Sequence, residues 1–219
     1  MSRIPYSVRL GRGYNRARQD IRWFHSHPAR DVQNEIVSRV RYVVQSAHDT
    51  VPFYRSLYRE HGIRPKDIHT LDDIGRLPIV TKQDLREIDL ESRSANVRGR
   101  MKINTGGTSG EPLHFYIDRD AFAREWGHMH FIWEALGYRT TDLKLTLRGK
   151  NLGSQPIRYN AVHNEYMVNA YCPHNRVVEA VRQVVRDIRF IHGYPSSIYE
   201  FVRLCRDDAQ DLLDALRRG

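Results

Sequence analysis

Cysteine is nearly absent: Cys172 and Cys205 are the only two in 219 residues. Two such residues supply no disulfide framework, and neither has another Cys at metal-ligand spacing. Free thiols in a reducing cytosol are expected, so the protein is read as cytoplasmic. The chain lacks any apolar run long enough to span a bilayer. Its basic N-terminus lacks the apolar core of a secretory signal, and no membrane partner is expected. No internal repeat or low-complexity tract is present. Acidic residues are in deficit, 26 Asp and Glu against 35 Lys and Arg, giving a net charge of +9. That excess can steer anionic ligands such as nucleotides. It is spread along the chain without a recognition motif or an aromatic-interleaved patch, so nucleic acid is not an expected partner. His25 and His27 have no carboxylate or Cys company. His128 and His130, two apart in a helical stretch, fall on different faces. No metal ligand set is expected.

What the chain does have is one stretch unlike the rest, Lys102 to Ile117, reading KINTGGTSGEPLHFYI. Six of the eight residues from Thr105 to Pro112 are Gly, Thr or Ser. Gly106, Gly107 and Gly110 let the backbone bend tightly and turn its N–H groups outward, and Thr105, Thr108 and Ser109 add hydroxyl donors. A loop so rich in donors and so poor in bulk suits phosphate oxygens. On the far side Leu113, Phe115 and Ile117 alternate with polar residues as a strand does. The setting is thus strand, loop, strand. Together with Glu111 after Gly110, where Gly-Lys-Ser/Thr would be required, this excludes the Walker loop.

The remaining chain reads as alternating helices and strands. Residues 1–30, rich in Arg, Tyr and His with no sustained period, are expected to drape over the surface as a leader. Val32, Ile36, Val37, Val40, Val43, Val44 and Ala47 form a helical stripe, and a second amphipathic helix follows Pro52 and ends near Gly62. Thr70 and Thr81 are positioned to cap short helical turns. Residues 119–136 form a helix ended by Gly137; Leu143, Leu145 and Leu147 alternate as a strand. Residues 150–170 are ambiguous. Val177 to Ile188 is helical, Arg189 to Gly193 a strand, and Tyr194-Pro195-Ser196-Ser197 turns into a last helix from Ile198, capped by one of the serines. The fold class is α/β, with a mainly helical segment over 1–98 and an α/β nucleotide-binding portion over 99–219.

Three segments, VPFYRSLYREHGIRPKDIHTLDDIGRLPIVTKQDLRE, TGGTSGEPLHFY and GYPSSIYEFVR, in that order, resemble the phenylacetate–coenzyme A ligase family and its CapK-like branch. The resemblance runs from about residue 30 to 205. It implies the large N-terminal domain of the adenylate-forming superfamily, preceded by a helical leader. It further implies that Thr105, Gly106, Gly107, Thr108, Ser109 and Gly110 wrap the β- and γ-phosphates of ATP carried with Mg²⁺. A carboxylate attacks the α-phosphorus in such enzymes, giving an acyl-adenylate and pyrophosphate, and coenzyme A is a possible acyl acceptor. Tyr194, Pro195 and Ser196 match the family's Gly-Tyr-Pro-Ser turn near the acyl pocket. Glu111, where many superfamily members carry Lys, matches the CapK-like branch.

Family members run to about twice this length. The aromatic–Gly–x–x–Glu stretch, the ribose-binding aspartate and the lysine-bearing small domain are absent from the sequence. The expectation is an incomplete large domain, with a separately encoded C-terminal half as a possible partner, a carboxylic acid of unknown identity as substrate, and no assigned catalytic residue. A non-catalytic remnant acting as an interaction module is the alternative, and a basic nucleic-acid-binding protein a weaker one.

Overall fold

Strands begin only at Met101. The computed structural model describes residues 4–105 and 112–218. Its elements in order are α1 (Tyr6–Arg9), α2 (Gly11–Ser26), α3 (Ala29–Thr50), α4 (Pro52–Glu60), two short 3₁₀ turns (Pro65–Asp67 and Asp72–Arg76) and α5 (Lys82–Glu87). There follow β1 (Met101–Asn104), β2 (His114–Ile117), α6 (Ala121–Glu134), β3 (Leu143–Lys150), β4 (Ile157–Asn160) and β5 (Glu165–Asn169). The chain closes with α7 (His174–Arg182), a 3₁₀ turn, β6 (Ile188–Gly193), α8 (Pro195–Asp208) and α9 (Gln210–Arg218). Two compact units emerge, one of Arg18–Arg124, the other of Met1–Ala17 with Glu125–Gly219. No helix among the described residues is long and apolar enough to cross a membrane.

In the unit of Arg18–Arg124, the stripe on α3 buries Val37 and Val44 against Tyr58 of α4 and Ile68. The stripe is narrower than its sequence suggests, because Val43 faces solvent at 62% exposure. Pro52 opens α4 at its first turn, where its missing N–H costs nothing. Gly62, at φ +64°, closes the helix: Ile63 N–H donates to Tyr58 O and Gly62 N–H to Arg59 O. That pair of bonds is the Schellman arrangement. Thr81 caps α5 as its sequence predicts, in a reciprocal box with Asp84. Thr70 does not cap. Its N–H and hydroxyl both donate to Asp73 Oδ2 at 2.9 Å, joined by the His69 N–H. These three donors hold the Asp73 carboxyl down at about 2.

The other unit is built on a four-stranded sheet in the order β4-β5-β3-β6. Strands β5, β3 and β6 run parallel, and β4 pairs antiparallel with β5. The residues left ambiguous by the sequence are therefore a hairpin. Its turn relies on Asn164 at φ +45°. On one face Leu143, Leu145 and Leu147 pack with Val177, Val178 and Val181 of α7, Phe201 and Cys205 of α8, and Leu212 of α9. Leu145, Val181 and Leu212 have no exposed surface, and fully burying an aliphatic side chain of this kind contributes about 1.5–3 kcal/mol. In β3 the residues between the leucines point to the opposite face of the sheet. There Lys144 and Thr146 are buried as well, because aromatic side chains cover the second face of the sheet.

Those aromatics correct the reading of the N-terminus. Tyr6, Tyr14 and Ala17 are buried, so the segment does not drape over the surface. Tyr14, Ala17 and Ile21 are spaced i, i+3, i+7 on α2, a helical stripe diluted by the arginines around it. Pro195 at the first position of α8 corrects another detail: the helix starts early, Tyr194 becomes its N-cap residue, and Ser196 and Ser197 lie inside the first turn rather than capping it.

Two histidines in the second face make stability pH-dependent. Burial lowers His163 to about 4 and lowers His192 in the same direction, while in the unfolded chain such groups titrate near 6.5. Between those values the unfolded state binds the extra proton, so stability is complete above about pH 6.5 and drains away as pH falls toward 4. The expected loss from His163 is on the order of 1–3 kcal/mol. Thermal melts at pH 7 and pH 5 should differ more for the natural chain than for His163→Phe; equal differences would contradict this.

Candidate functional site

The two strands flanking the Gly/Thr-rich stretch pair as their pattern predicts. Strands β1 and β2 pair antiparallel, from Met101 opposite Ile117 to Asn104 opposite His114. Beyond the last pair, Thr105 N–H donates to Leu113 O at 3.0 Å. Leu113 N–H returns a 3.0 Å bond to Thr105 Oγ1. The Thr105 hydroxyl is thus an acceptor here, and its proton remains available to another oxygen. Gly106, Gly107, Thr108, Ser109 and Gly110 lie outside the described residues.

Side chains from the preceding connection fix the legs of this hairpin. The Arg93 guanidinium donates to His114 O at 2.9 Å. Arg100 lies over the Tyr116 ring at 4.0 Å and pairs with Glu91, which also accepts the Tyr116 hydroxyl at 2.7 Å. Glu91 is lowered, first by the Tyr116 hydroxyl and then by Arg100. Tyr116 is raised by the same bond. An apolar cleft of about 490 Å³ runs along the hairpin, lined among others by Leu113, Phe115, Ile117 and Tyr54.

The Gly-Tyr-Pro-Ser turn sits at the carboxyl end of β6, beside the carboxyl ends of β3 and β5. Open parallel sheets bind their ligands at this end of the strands. Gly193 pairs with Leu147 of β3, and Tyr194 N–H donates to Leu147 O at 3.0 Å. The turn serves two cavities. Tyr194, half exposed at 51%, lines one of about 240 Å³ with Trp126, Met129, Arg148 and His192. The Arg148 guanidinium stands 5.6 Å from the Tyr194 ring centre. Ser196 lines the other, of about 310 Å³, with Cys172, His174, Glu200 and an apolar floor that includes Leu147 and Phe201. Pro195 is among the lining residues of neither cavity. Thr105 belongs to the unit of Arg18–Arg124 and the Tyr194–Ser196 turn to the other unit.

Sequence reasoning passed over Arg148, Trp126 and His192. Arg148 could have been found, since it follows the last leucine of a strand whose carboxyl end is where sites form. Trp126 lies at helical spacing with Met129 and Trp133, a pattern that does not separate a site aromatic from a core one. Cys172 and His174 carried no signal at all, because only the sheet brings the β5–α7 connection to the cavity. Among the described residues no group of three or more His, Cys, Asp or Glu could hold a metal ion.

The two thiols differ in environment. Cys205 is fully buried, and burial pushes its thiol up to about 11; Cys172 lines the open cavity. A chromogenic thiol reagent should titrate about one thiol in the folded chain and the second only in denaturant. Cys172→Ser should abolish the fast reaction, and two fast thiols would contradict the assigned packing.

No family model matches the chain. It is 30% identical over 76 residues to phenylacetate-coenzyme A ligase of Escherichia coli (strain K12), covering 34% of this chain and 17% of that protein. Against protein CapK of Staphylococcus aureus it is 25% identical over 127 residues, covering 54% of this chain and 28% of that protein. The chain is similar to phenylacetate–coenzyme A ligases and to CapK. Among solved structures, 2-hydroxyisobutyryl-CoA ligase with 2-HIB-AMP and CoA in the thioesterification state matches with a TM-score of 0.65 and 24% identity, over 84% of this chain and 41% of that one. Its open conformation, also with 2-HIB-AMP and CoA, gives 0.63 and 23%, over 84% and 45%. The structural likenesses show that the chain shares the fold of part of 2-hydroxyisobutyryl-CoA ligase. The chain spans less than a third of the two curated relatives named and less than half of either solved structure.

Proposed function

We propose that this chain supplies the phosphate loop and part of the acid pocket of an ATP-dependent, acyl-adenylate-forming ligase of the phenylacetate–coenzyme A ligase and CapK type. The observation that carries the reading is the closure of the hairpin at Thr105 and Leu113. It pairs the two strands that the Gly/Thr/Ser-rich stretch connects in sequence, with Thr105 Oγ1 used as an acceptor among the described residues. Thr105, Gly106, Gly107, Thr108, Ser109 and Gly110 hold the β- and γ-phosphates of ATP together with Mg²⁺. When bound, ATP supplies the phosphorus that a substrate carboxylate attacks, with pyrophosphate as the leaving group. The chain's own contribution is positioning and charge neutralisation, which dominate catalysis of phosphoryl and nucleotidyl transfer.

In the acid pocket, the Tyr194 and Trp126 rings form apolar walls and Arg148 supplies a cation suited to an incoming carboxylate. Coenzyme A is the expected acyl acceptor, a reading supported by the CoA present in the 2-hydroxyisobutyryl-CoA ligase structures. A role in capsular or exopolysaccharide synthesis is supported only by the likeness to CapK. Adenylation of this kind also draws on segments of the relatives outside the span that this chain matches. In the second reading the chain is a non-catalytic interaction module.

ATP–pyrophosphate exchange with a panel of aryl and aliphatic acids separates these readings. The 219-residue chain alone should give no exchange, and activity should appear once the remaining segments of the family domain are supplied. Exchange by the chain alone would overturn the shared-site reading. Silence under both conditions favours the interaction module.

A further inference from the structure

Lys144 has no exposed surface and lies within the sheet, on the face away from α7–α9. Its ammonium donates to Tyr6 Oη and Tyr138 Oη, both at 3.3 Å, and to His163 O. The rings of Tyr6, Tyr138, Trp133 and Trp126 surround it at 5.4–5.9 Å from nitrogen to ring centre. Glu165, opposite Lys144 in the β3–β5 register, is occupied by Thr146 and Asn160 at 2.6 and 2.9 Å. The lysine is thus held by oxygen dipoles and aromatic faces rather than by a direct ion pair, a cage of the kind that binds ammonium groups. Burial draws it down to about 8, with Glu165 opposing that shift.

One wall of the cage comes from far away in sequence. Besides accepting from Lys144, the Tyr6 hydroxyl donates to His163 O. Arg9 caps the same β4–β5 turn, donating to Ala161 O and Val162 O at 2.7 Å while lying 3.8 Å over the Tyr6 ring. Tyr14 hydrogen-bonds His130 Nδ1 of α6 at 3.0 Å. The N-terminal segment therefore grips a carbonyl-rich turn and a buried cation at once. Without the segment the turn carbonyls would lose these donors and Lys144 would keep only Tyr138 Oη and His163 O, and a buried ammonium short of partners is costly.

We propose that the N-terminal segment from Tyr6 to Ala17 is a strap, which closes the cage around Lys144 and, by its own bonds to the turn carbonyls as well as through the lysine, locks the β4–β5 turn onto the sheet. Local opening of the strap then frees the turn and exposes the lysine, while the core of α7–α9 stays closed.

Amine-reactive labelling of Lys144, read by mass spectrometry alongside amide exchange, tests this in the full chain. In the natural protein Lys144 should be among the slowest lysines to label. In the Tyr6→Ala, Arg9→Ala double variant its labelling should accelerate about tenfold or more. Exchange over residues 157–169 should rise with it, and exchange around Phe201 and Leu212 should not. Fast labelling in the natural protein, or a rise spread evenly over the whole unit, overturns the strap. Should the double variant fail to fold, Tyr6→Phe keeps the ring and removes only the hydroxyl. It should still speed Lys144 labelling several-fold at a near-natural melting temperature. An unaltered labelling rate in Tyr6→Phe overturns the proposal.

Discussion

Gly193→Ala is expected to destabilise the sheet-containing unit by about 3 kcal/mol, a large effect for a single methyl group. A Cβ built on Gly193 would lie 2.4 Å from Leu147 O, 2.9 Å from Leu147 Cβ and 3.1 Å from Leu147 C. The obstruction is backbone, so no rotamer change relieves it. Leu147 cannot retreat, because its side chain is buried with Leu145 in the core facing α7 and α8. Movement of β6 in the other direction would break the Tyr194 N–H bond to Leu147 O and shift the turn that presents Tyr194 and Ser196. Stability and site geometry are thus coupled through one glycine. Urea titration gives the measurement, with Gly75→Ala as the control, since nothing lies within 4 Å of a Cβ there. Equal midpoints for the two variants would show that β3 and β6 are not packed as described.

The second large effect concerns chemistry. In the complemented enzyme, Thr108→Ala and Ser109→Ala are each expected to lower pyrophosphate exchange by about a hundredfold, the usual result of deleting one preorganised donor to developing charge. The loss should fall on turnover and on the ATP term, leaving the dependence on the acid unchanged. Melting temperatures should stay near the natural value if these hydroxyls serve the phosphates alone. A matching loss of stability would assign these hydroxyls to folding. A loss confined to the acid term would move the loop away from the phosphates.

Local signals carried much of this architecture. The stripe of α3, the capping pair of Thr81 and Asp84, and the strand–loop–strand around Thr105 are each determined by residues a few positions apart, and each was legible in the sequence. What the sequence hid depends on distant partners. Lys144 and Thr146 look solvent-facing in Leu-Lys-Leu-Thr-Leu until a second layer covers that face, and one wall of that layer is Tyr6, 138 positions away. The β4–β5 hairpin escaped notice because its turn uses Asn164 at positive φ where a glycine would have announced it. Within the candidate site, Tyr194 and Ser196 could be named from the family turn. Their assignment to separate cavities could not, since it follows from Pro195 starting α8 one residue after the strand's last turn residue. Arg148 and Trp126 become site residues only once the carboxyl ends of β3 and β6 are side by side.

The central claim is that the stretch from Thr105 to Gly110 holds phosphates. Amide chemical shifts of the isotope-labelled chain, followed during titration with Mg–ATP and with inorganic triphosphate, test it most directly. The expected result is weak, saturable binding of both ligands, with the largest shifts at residues 105–110 and little change around Phe201 and Leu212. Shifts absent at saturating ligand, or centred elsewhere in the chain, would contradict it.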